Sequence, residues 1–235
     1  MKDLFGKAIL DYQTNNDPED LITETSISEE DEMSVAYLFR SFEEMPSIEQ
    51  KALEFSTGKV LDIGCGAGSH SLYLQNKKGL DVTSIDISAN AIECCKLRGL
   101  KKAIKIDVLD LDSDVNKFDT ILLLMNGTGI FRKLEKVPTF LQQLKSLLNP
   151  RGQILIDSSD IIYMFDEDED GGKWILSENY YGEVTFTVTY KNEKEDSFEW
   201  LYLDYNTLQN ACFENSLKCE LIEEGEHFDY LARII

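Results

Sequence analysis

The 235-residue chain predicts an α/β protein built on a largely parallel sheet. Three observations carry that prediction. Short apolar runs of strand length alternate with helix-length segments between residues 59 and 157. The first run opens into a glycine cluster, Gly64, Gly66 and Gly68, that leads directly into a helical segment. The next three runs each end in a polar residue: Asp86, Asp107 and Asn126. Alternation of this kind is the pattern of a parallel sheet covered by helices.

Residues 1–27 read as mostly polar and acidic, with Asn15-Asn16-Asp17-Pro18 as a breaker cluster. Ser28-Glu29-Glu30-Asp31 reads as a helix start, because a hydroxyl accepts a backbone N–H and acids suit the positive helix end. Met33, Tyr37, Phe39 and Phe42 fit a helix that stops near Pro46. Ser47-Ile48-Glu49-Gln50 matches a capping box, and its helix should end at Gly58. Strands follow at Val60–Ile63, Val82–Ile85, Ala103–Ile106, Phe118–Leu124 and Gln153–Ile156. Helices lie between them at Ser69–Lys77, Ser88–Arg98 and Val137–Leu148, with Asn149-Pro150-Arg151-Gly152 as a turn. Beyond Asp157 the rhythm breaks. Residues 158–182 look loop-like, Val184–Tyr190 and Phe198–Leu203 alternate as a hairpin, a helix runs to about Asn215, and two closing strands flank Gly225.

Acidic residues (44) outnumber basic ones (23), for a net charge of −21, and 43% of the chain is apolar. A real core is therefore expected, and wholesale disorder is excluded. The acidity argues against a general nucleic-acid binder, whose affinity rests on Lys and Arg. No apolar run approaches a membrane span, and no stretch at the start has signal-peptide length, so a cytoplasmic protein is expected. Cys65, Cys94, Cys95, Cys212 and Cys219 show no C-x-x-C spacing, and His70 and His227 are the only histidines. Free thiols and no metal cluster are the simpler reading. Asp166-x-Asp168-x-Asp170-Gly171 imitates the start of a calcium loop, but position 12 would be Ser177; a solvated loop fits better.

The glycine cluster presents backbone N–H groups at a helix start, and a ligand can approach where Cβ atoms are missing. The dinucleotide fingerprint G-x-G-x-x-G would want glycine where Ser69 stands. Asp86 falls where a carboxylate can accept both hydroxyls of a ribose. Asp107 and Asn126 then line the same sheet edge. One polar strand end is commonplace; several in register behind a glycine loop are hard to explain by packing.

Val60-Leu61-Asp62-Ile63-Gly64-Cys65-Gly66-Ala67-Gly68 resembles motif I of the class I S-adenosylmethionine-dependent methyltransferases. Ser84-Ile85-Asp86-Ile87-Ser88 resembles the family's acidic ribose-binding strand end. Asp107-Val108 resembles the segment beside the adenine, and Phe118-Asp119-Thr120-Ile121 the motif IV strand. Leu144 to Leu155 resembles the helix–turn–strand that follows. The resemblance covers about residues 58–157 closely. It implies a Rossmann-like sheet of seven strands, mostly parallel with the last antiparallel, helices on both faces, and S-adenosyl-L-methionine as cofactor with S-adenosyl-L-homocysteine as product. Gly64, Cys65, Gly66 and Gly68 would line the methionine moiety, with Asp62 just beneath. Asp86 would hold the ribose and Ile87 would pack on the adenine. Asp107 would take the adenine amino group beside Val108, and Asn126 would lie near the sulfonium. Asn126-Gly127-Thr128-Gly129 departs from the Asn/Asp-Pro-Pro-Tyr/Phe motif of enzymes that methylate adenine or glutamine nitrogens, which lowers those acceptors.

Methyl transfer from a sulfonium needs alignment and exclusion of water, and a base only when the acceptor holds its proton. No catalytic dyad stands out. His70 reads as a buried or surface histidine, and Cys65 as a small loop residue. The division expected is 1–58 as an acidic segment with a helical lid, and 59–235 as the methyltransferase domain. Within it, 158–203 is an insertion of loop and hairpin over the acceptor site. Residues 158–235 hold 14 of the 24 aromatics, so Trp174, Tyr180 and Tyr181 are candidates for acceptor contacts. Arg40 could act from the lid on a carboxylate, and His227 from the last turn. Net charge is −10 over 1–58, +3 over 59–157 and −14 over 158–235. The excess acid lies in the additions, which favours a neutral or cationic small-molecule acceptor over a polyanion. An RNA or protein methyltransferase, or a nicotinamide-dependent oxidoreductase on a similar sheet, are the competing expectations. Oligomeric state is not legible.

Overall fold

The computed structural model describes residues 2–165, 173 and 179–235. The acidic run 166–170 and Trp174 lie outside the described residues. Elements run in the order α1 (Leu4–Thr14), β1 (Leu21–Thr25), β2 (Ser28–Met33), α2 (Ser47–Phe55), β3 (Lys59–Ile63), α3 (Ser69–Asn76), β4 (Asp81–Asp86), α4 (Ala89–Leu97) and β5 (Ala103–Lys105). They continue with β6 (Phe118–Leu123), α5 (Val137–Ser146), β7 (Leu148–Ser159), β8 (Glu183–Tyr190), β9 (Glu193–Lys194), β10 (Phe198–Leu201), α6 (Tyr205–Glu214), β11 (Cys219–Glu224) and β12 (Asp229–Ile234).

Among the described residues, seven strands form one sheet in the order β11-β12-β7-β6-β3-β4-β5. The strands from β7 to β5 pair in parallel, and β12 runs antiparallel to both β7 and β11. Strands β3 and β6 are apolar because helices cover both faces: Val60, Leu61, Ile121 and Leu122 are fully buried. The apolar faces of α5 and α6 fill one side with Phe140, Leu144 and Leu208, and α2 and α3 fill the other with Leu53 and Leu74. The expected turn at 149–152 is present, but inside β7. Phe118 pairs with Leu148 and Thr120 with Gln153, so the intervening residues bulge out, with Arg151 at φ 69°.

The N-terminal segment differs from its expectation. The helix expected from Ser28 to Pro46 is strand β2 followed by 3₁₀ turns at Val35–Phe39 and Phe42–Glu44. Its residues are almost wholly exposed, so helix-compatible acids give way to pairing with β1. A charged edge strand also resists further pairing. The capping box falls at Ser41 and Glu44, not at Ser47 and Gln50. Helix α1 was read as polar, yet Leu4, Ala8 and Ile9 are fully buried. Strand β1 pairs with β8, so the two additions to the core merge into one antiparallel sheet, β10-β8-β1-β2, with β9 beside β8.

This second sheet is pinned over the main sheet's strand ends. Trp200 of β10 lies flat on Gly129, where an added Cβ would meet the indole at 1.9 Å. Thr128 Oγ1 donates to the Leu201 carbonyl at 2.9 Å. At the other end, the buried Glu195 carboxylate accepts the N–H groups of Asp3 and Leu4 and so caps α1. Gly129→Ala should therefore destabilise the fold by about 1–3 kcal/mol through overpacking against Trp200, read as a lowered urea midpoint with an unchanged slope.

Candidate cofactor and active site

The C-terminal edge of the parallel strands gathers the polar residues. After β3 the chain passes through Gly64, Gly66 and Gly68 at φ 70°, 52° and 82°, a left-handed series that favours glycine. Gly64 and Cys65 donate to the Ile85 carbonyl, and Gly66 N–H donates to Asp86 Oδ2 at 3.0 Å. The other Asp86 oxygen accepts Ser88 N–H at 2.8 Å. Each oxygen keeps a second lone pair. Burial pushes the Asp86 carboxyl up, opposed by the two amides and reinforced by the charges of Asp3 and Asp62. Asp3 reaches this corner from the N-terminal segment and accepts from Ser88 Oγ at 2.9 Å.

Asp62 does not face the edge. Its buried carboxylate accepts from Ser71 Oγ at 2.6 Å, tying α3 to β3, and burial raises its affinity for a proton. Cys65 Sγ lies 3.7 Å from Cys95 Sγ, a contact the sequence did not suggest. That hydrogen bond and burial push the Cys65 thiol well above its ordinary range. Ile87 is 53% exposed and Val108 is buried. Asp107 accepts Leu109 N–H and pairs with Arg132 at 3.3 Å. Asn126 follows Met125, both left-handed at φ 58° and 66°, and its Oδ1 accepts from Ser159 Oγ. Thus Gly64–Gly68, Asp86, Ile87, Asp107, Val108 and Asn126 share one edge.

A buried ionic cluster adjoins the glycine loop. Glu49 of α2 takes Arg40 Nη2 on both oxygens at 2.5 Å and His70 Nε2 at 2.6 Å. Arg40 also donates from Nη1 to the Tyr37 carbonyl and stacks 4.0 Å over the Tyr37 ring. Burial alone would raise the Glu49 carboxyl, but His70 and Arg40 outweigh it and hold it below its ordinary range. The Arg40 carboxylate partner expected from the sequence is therefore one of the protein's own residues. Arg40 Nε is buried with no hydrogen-bond partner among the described residues.

Asp157, at the end of β7, closes the cluster. Its oxygens accept Met125 N–H and Gly127 N–H, each at 2.9 Å, and so hold the strained turn that carries Asn126. Burial pushes the Asp157 carboxyl to about 7 against those two bonds. The sequence singled out neither Glu49 nor Asp157 as a site residue. Asp157 ends a strand at the same edge, which was the available signal; Glu49 carried none.

The remaining candidates are spread around the rim. Tyr180 donates to Asp204 and Tyr181 to Asp160, both at 2.7 Å, and their rings sit 4.6 Å apart. They brace the segment after β7 against the start of α6. His227 is exposed in the β11–β12 turn, its N–H on Asp229 Oδ1. The structure does not bring His227, Tyr180 and Tyr181 into hydrogen-bond contact with the glycine loop.

Over this edge lies the N-terminal segment. Ile9 Cδ1 is 3.9 Å from where a Gly66 Cβ would stand. Ser69 Oγ donates to the Leu38 carbonyl, and Arg98 reaches from α4 to the Ala67 carbonyl and over the Phe39 ring. Residues 54–212 match the family model described as a methyltransferase domain, and the chain belongs to that family, with the sheet of the class I S-adenosylmethionine-dependent methyltransferases. It is similar over its whole length to an S-adenosylmethionine-dependent methyltransferase of Bacteroides fragilis crystallised with S-adenosyl-L-homocysteine. The two are 45% identical, with 100% of this chain and 94% of that one covered and a TM-score of 0.91. The probable S-adenosyl-L-methionine-dependent methyltransferase TehB of Haemophilus influenzae is 28% identical over 152 residues, 63% of this chain and 48% of that protein. Phosphoethanolamine N-methyltransferase 3 of Arabidopsis thaliana is 30% identical over 100 residues, 42% of this chain and 20% of that protein. The chain thus spans less than half the length of these curated relatives. No helix among the described residues is long and apolar enough to cross a membrane.

The Asp157 carboxyl has a stability signature. Its folded value lies above its unfolded one, so its contribution is full below about pH 4 and is lost as pH rises through about 7. Asp157→Asn should remove that downward slope of melting temperature between pH 4 and 7, checked by thermal scans across the range.

Proposed function

We propose that the chain transfers the methyl group of S-adenosyl-L-methionine to a small-molecule acceptor and releases S-adenosyl-L-homocysteine. The observation that carries the reading is the edge itself: an acidic strand end bonded to the glycine loop, under a roof formed by the N-terminal segment and the second sheet. Bound there, the cofactor supplies a methyl group activated on a sulfonium. Asp86 would accept the ribose hydroxyls on its remaining lone pairs, and Ile87 offers an exposed apolar face for the adenine. Asp107, with Val108 beside it, would meet the adenine amino group. The backbone of Gly64, Cys65, Gly66 and Gly68 would take the methionine end, and Asn126 would lie toward the methyl. The B. fragilis relative, crystallised with S-adenosyl-L-homocysteine, supports the choice of cofactor.

Arg40 gains a role from its orphaned Nε. Through Glu49 it is one side chain from His70, in the first turn of the helix that follows the glycine loop. A carboxylate on the cofactor's amino-acid end would satisfy Nε with a charge-assisted bond. The roof supports a small acceptor, since a folded polymer would have to displace it. The two net-acidic additions favour a neutral or cationic one. A nicotinamide cofactor is disfavoured by the family match and by Ser69.

Calorimetric titration with S-adenosylmethionine and S-adenosylhomocysteine tests the reading: both should bind, and Asp86→Ala should weaken them at least tenfold. Because the Asp86 carboxyl is pushed up, affinity should begin to fall on acidification above the ordinary carboxylate range. Binding of neither compound would refute the assignment. Arg40→Lys, which keeps the charge but lacks Nε, should weaken S-adenosylhomocysteine several-fold. It should leave 5′-methylthioadenosine, which has no amino-acid group, unchanged.

A further inference from the structure

The turn between β11 and β12 carries a feature that packing does not explain. Phe228 sits in left-handed backbone at φ 58°, a strained state for a bulky side chain, and is 63% exposed. Its ring stacks on that of Tyr163, itself 50% exposed, with centroids 4.8 Å apart and planes at 18°. The turn is held in this shape. Gly225 N–H donates to the Asp229 carbonyl, His227 N–H to the Asp229 carboxylate, and Asp160 N–H to the Phe228 carbonyl. An added Cβ at Gly225 would meet the Asp229 carboxylate at 2.3 Å. The fold thus holds a strained conformation in which two stacked rings are presented outward.

Position ties the rings to the active edge. Asp229 pairs with Ser159, the last residue of β7, and Ser159 touches Asn126. Tyr202 is half-buried, and partial burial, with a smaller contribution from Tyr163, pushes its phenol up to about 12. The turn itself is acidic. Glu223, Glu224, Glu226 and Asp229 lie in or next to the turn, Asp160 adjoins it, and no Lys or Arg occurs between Lys218 and Arg233. Lys218 and Arg233 both pair with Glu220. Arg40, the cation on the roof side, is paired with Glu49 through Nη2.

Aromatic faces are electron-rich and attract cations, most strongly when acids also face the site. We propose that Phe228 and Tyr163, with the acidic turn, form a subsite for a cationic ammonium group carried by the methyl acceptor. This rests on the methyltransferase reading and narrows the acceptor to an amine-bearing small molecule.

The test uses the full chain saturated with S-adenosylhomocysteine, whose own binding is measured first by the same calorimetry. Choline and its uncharged isostere 3,3-dimethyl-1-butanol are then titrated. Choline should bind at least tenfold more tightly than the isostere. Phe228→Leu, which keeps apolar bulk but removes the ring face, should cost choline at least fivefold. It should leave the isostere within twofold. Equal or tighter binding of the isostere, or no choline binding by the product-loaded protein, overturns the subsite alone. Failure of S-adenosylhomocysteine to bind overturns the reading beneath it.

Discussion

The buried Glu49 carboxylate is the joint on which the site depends. It joins three parts of the chain: Arg40 from the N-terminal segment, its own helix α2, and His70 on α3. A charge taken this far from water is tolerated only when its partners are in place, and removing one partner typically costs 3–5 kcal/mol. The roof and the helix behind the glycine loop are therefore fixed relative to one another by charge as well as by apolar contact. Hydrophobic packing of Ile9, Leu38 and Ala67 alone would tolerate sliding. The buried Arg40–Glu49–His70 charge cluster does not.

The same edge shows how a parallel sheet places chemistry. Each strand delivers its last residue to a common line, and neighbouring strands support one another there. Asp86 on β4 steadies the loop after β3, and Asp157 on β7 steadies the turn after β6. The polar residues at the edge thus divide into those whose oxygens are consumed in holding loops and those with capacity to spare. Asp157 belongs to the first group. Asp86 belongs to both.

The parallel core was legible because its signals are local. Val60–Ile63 and Phe118–Leu124 are continuous apolar runs, and glycines or an Asn-Pro turn mark their ends. The acidic strand ends were legible for the same reason, since their spacing is the spacing of the strand–helix units. The roof was not. Strand β2 has five exposed residues out of six, its partner on one side lies in β1, and its sheet is completed by β8, more than 150 residues later in the chain. Nothing in Ser28–Met33 itself prefers a strand, and acids beside a serine favour a helix start. Glu49 was equally silent, because the residues that neutralise it stand nine and 21 positions away on other elements. Phe228 and Tyr163 meet only because β12 returns antiparallel beside β7.

Pairing of β1 with β8 has a consequence for the order in which the molecule is made. Strands β3 to β7 are contiguous in the chain and can settle on one another as they leave the ribosome. Residues 22–25 have β2 beside them early but gain their second neighbour only when residues 186–189 appear, and the start of α1 waits for Glu195. The first segment synthesised is therefore among the last to be fully paired.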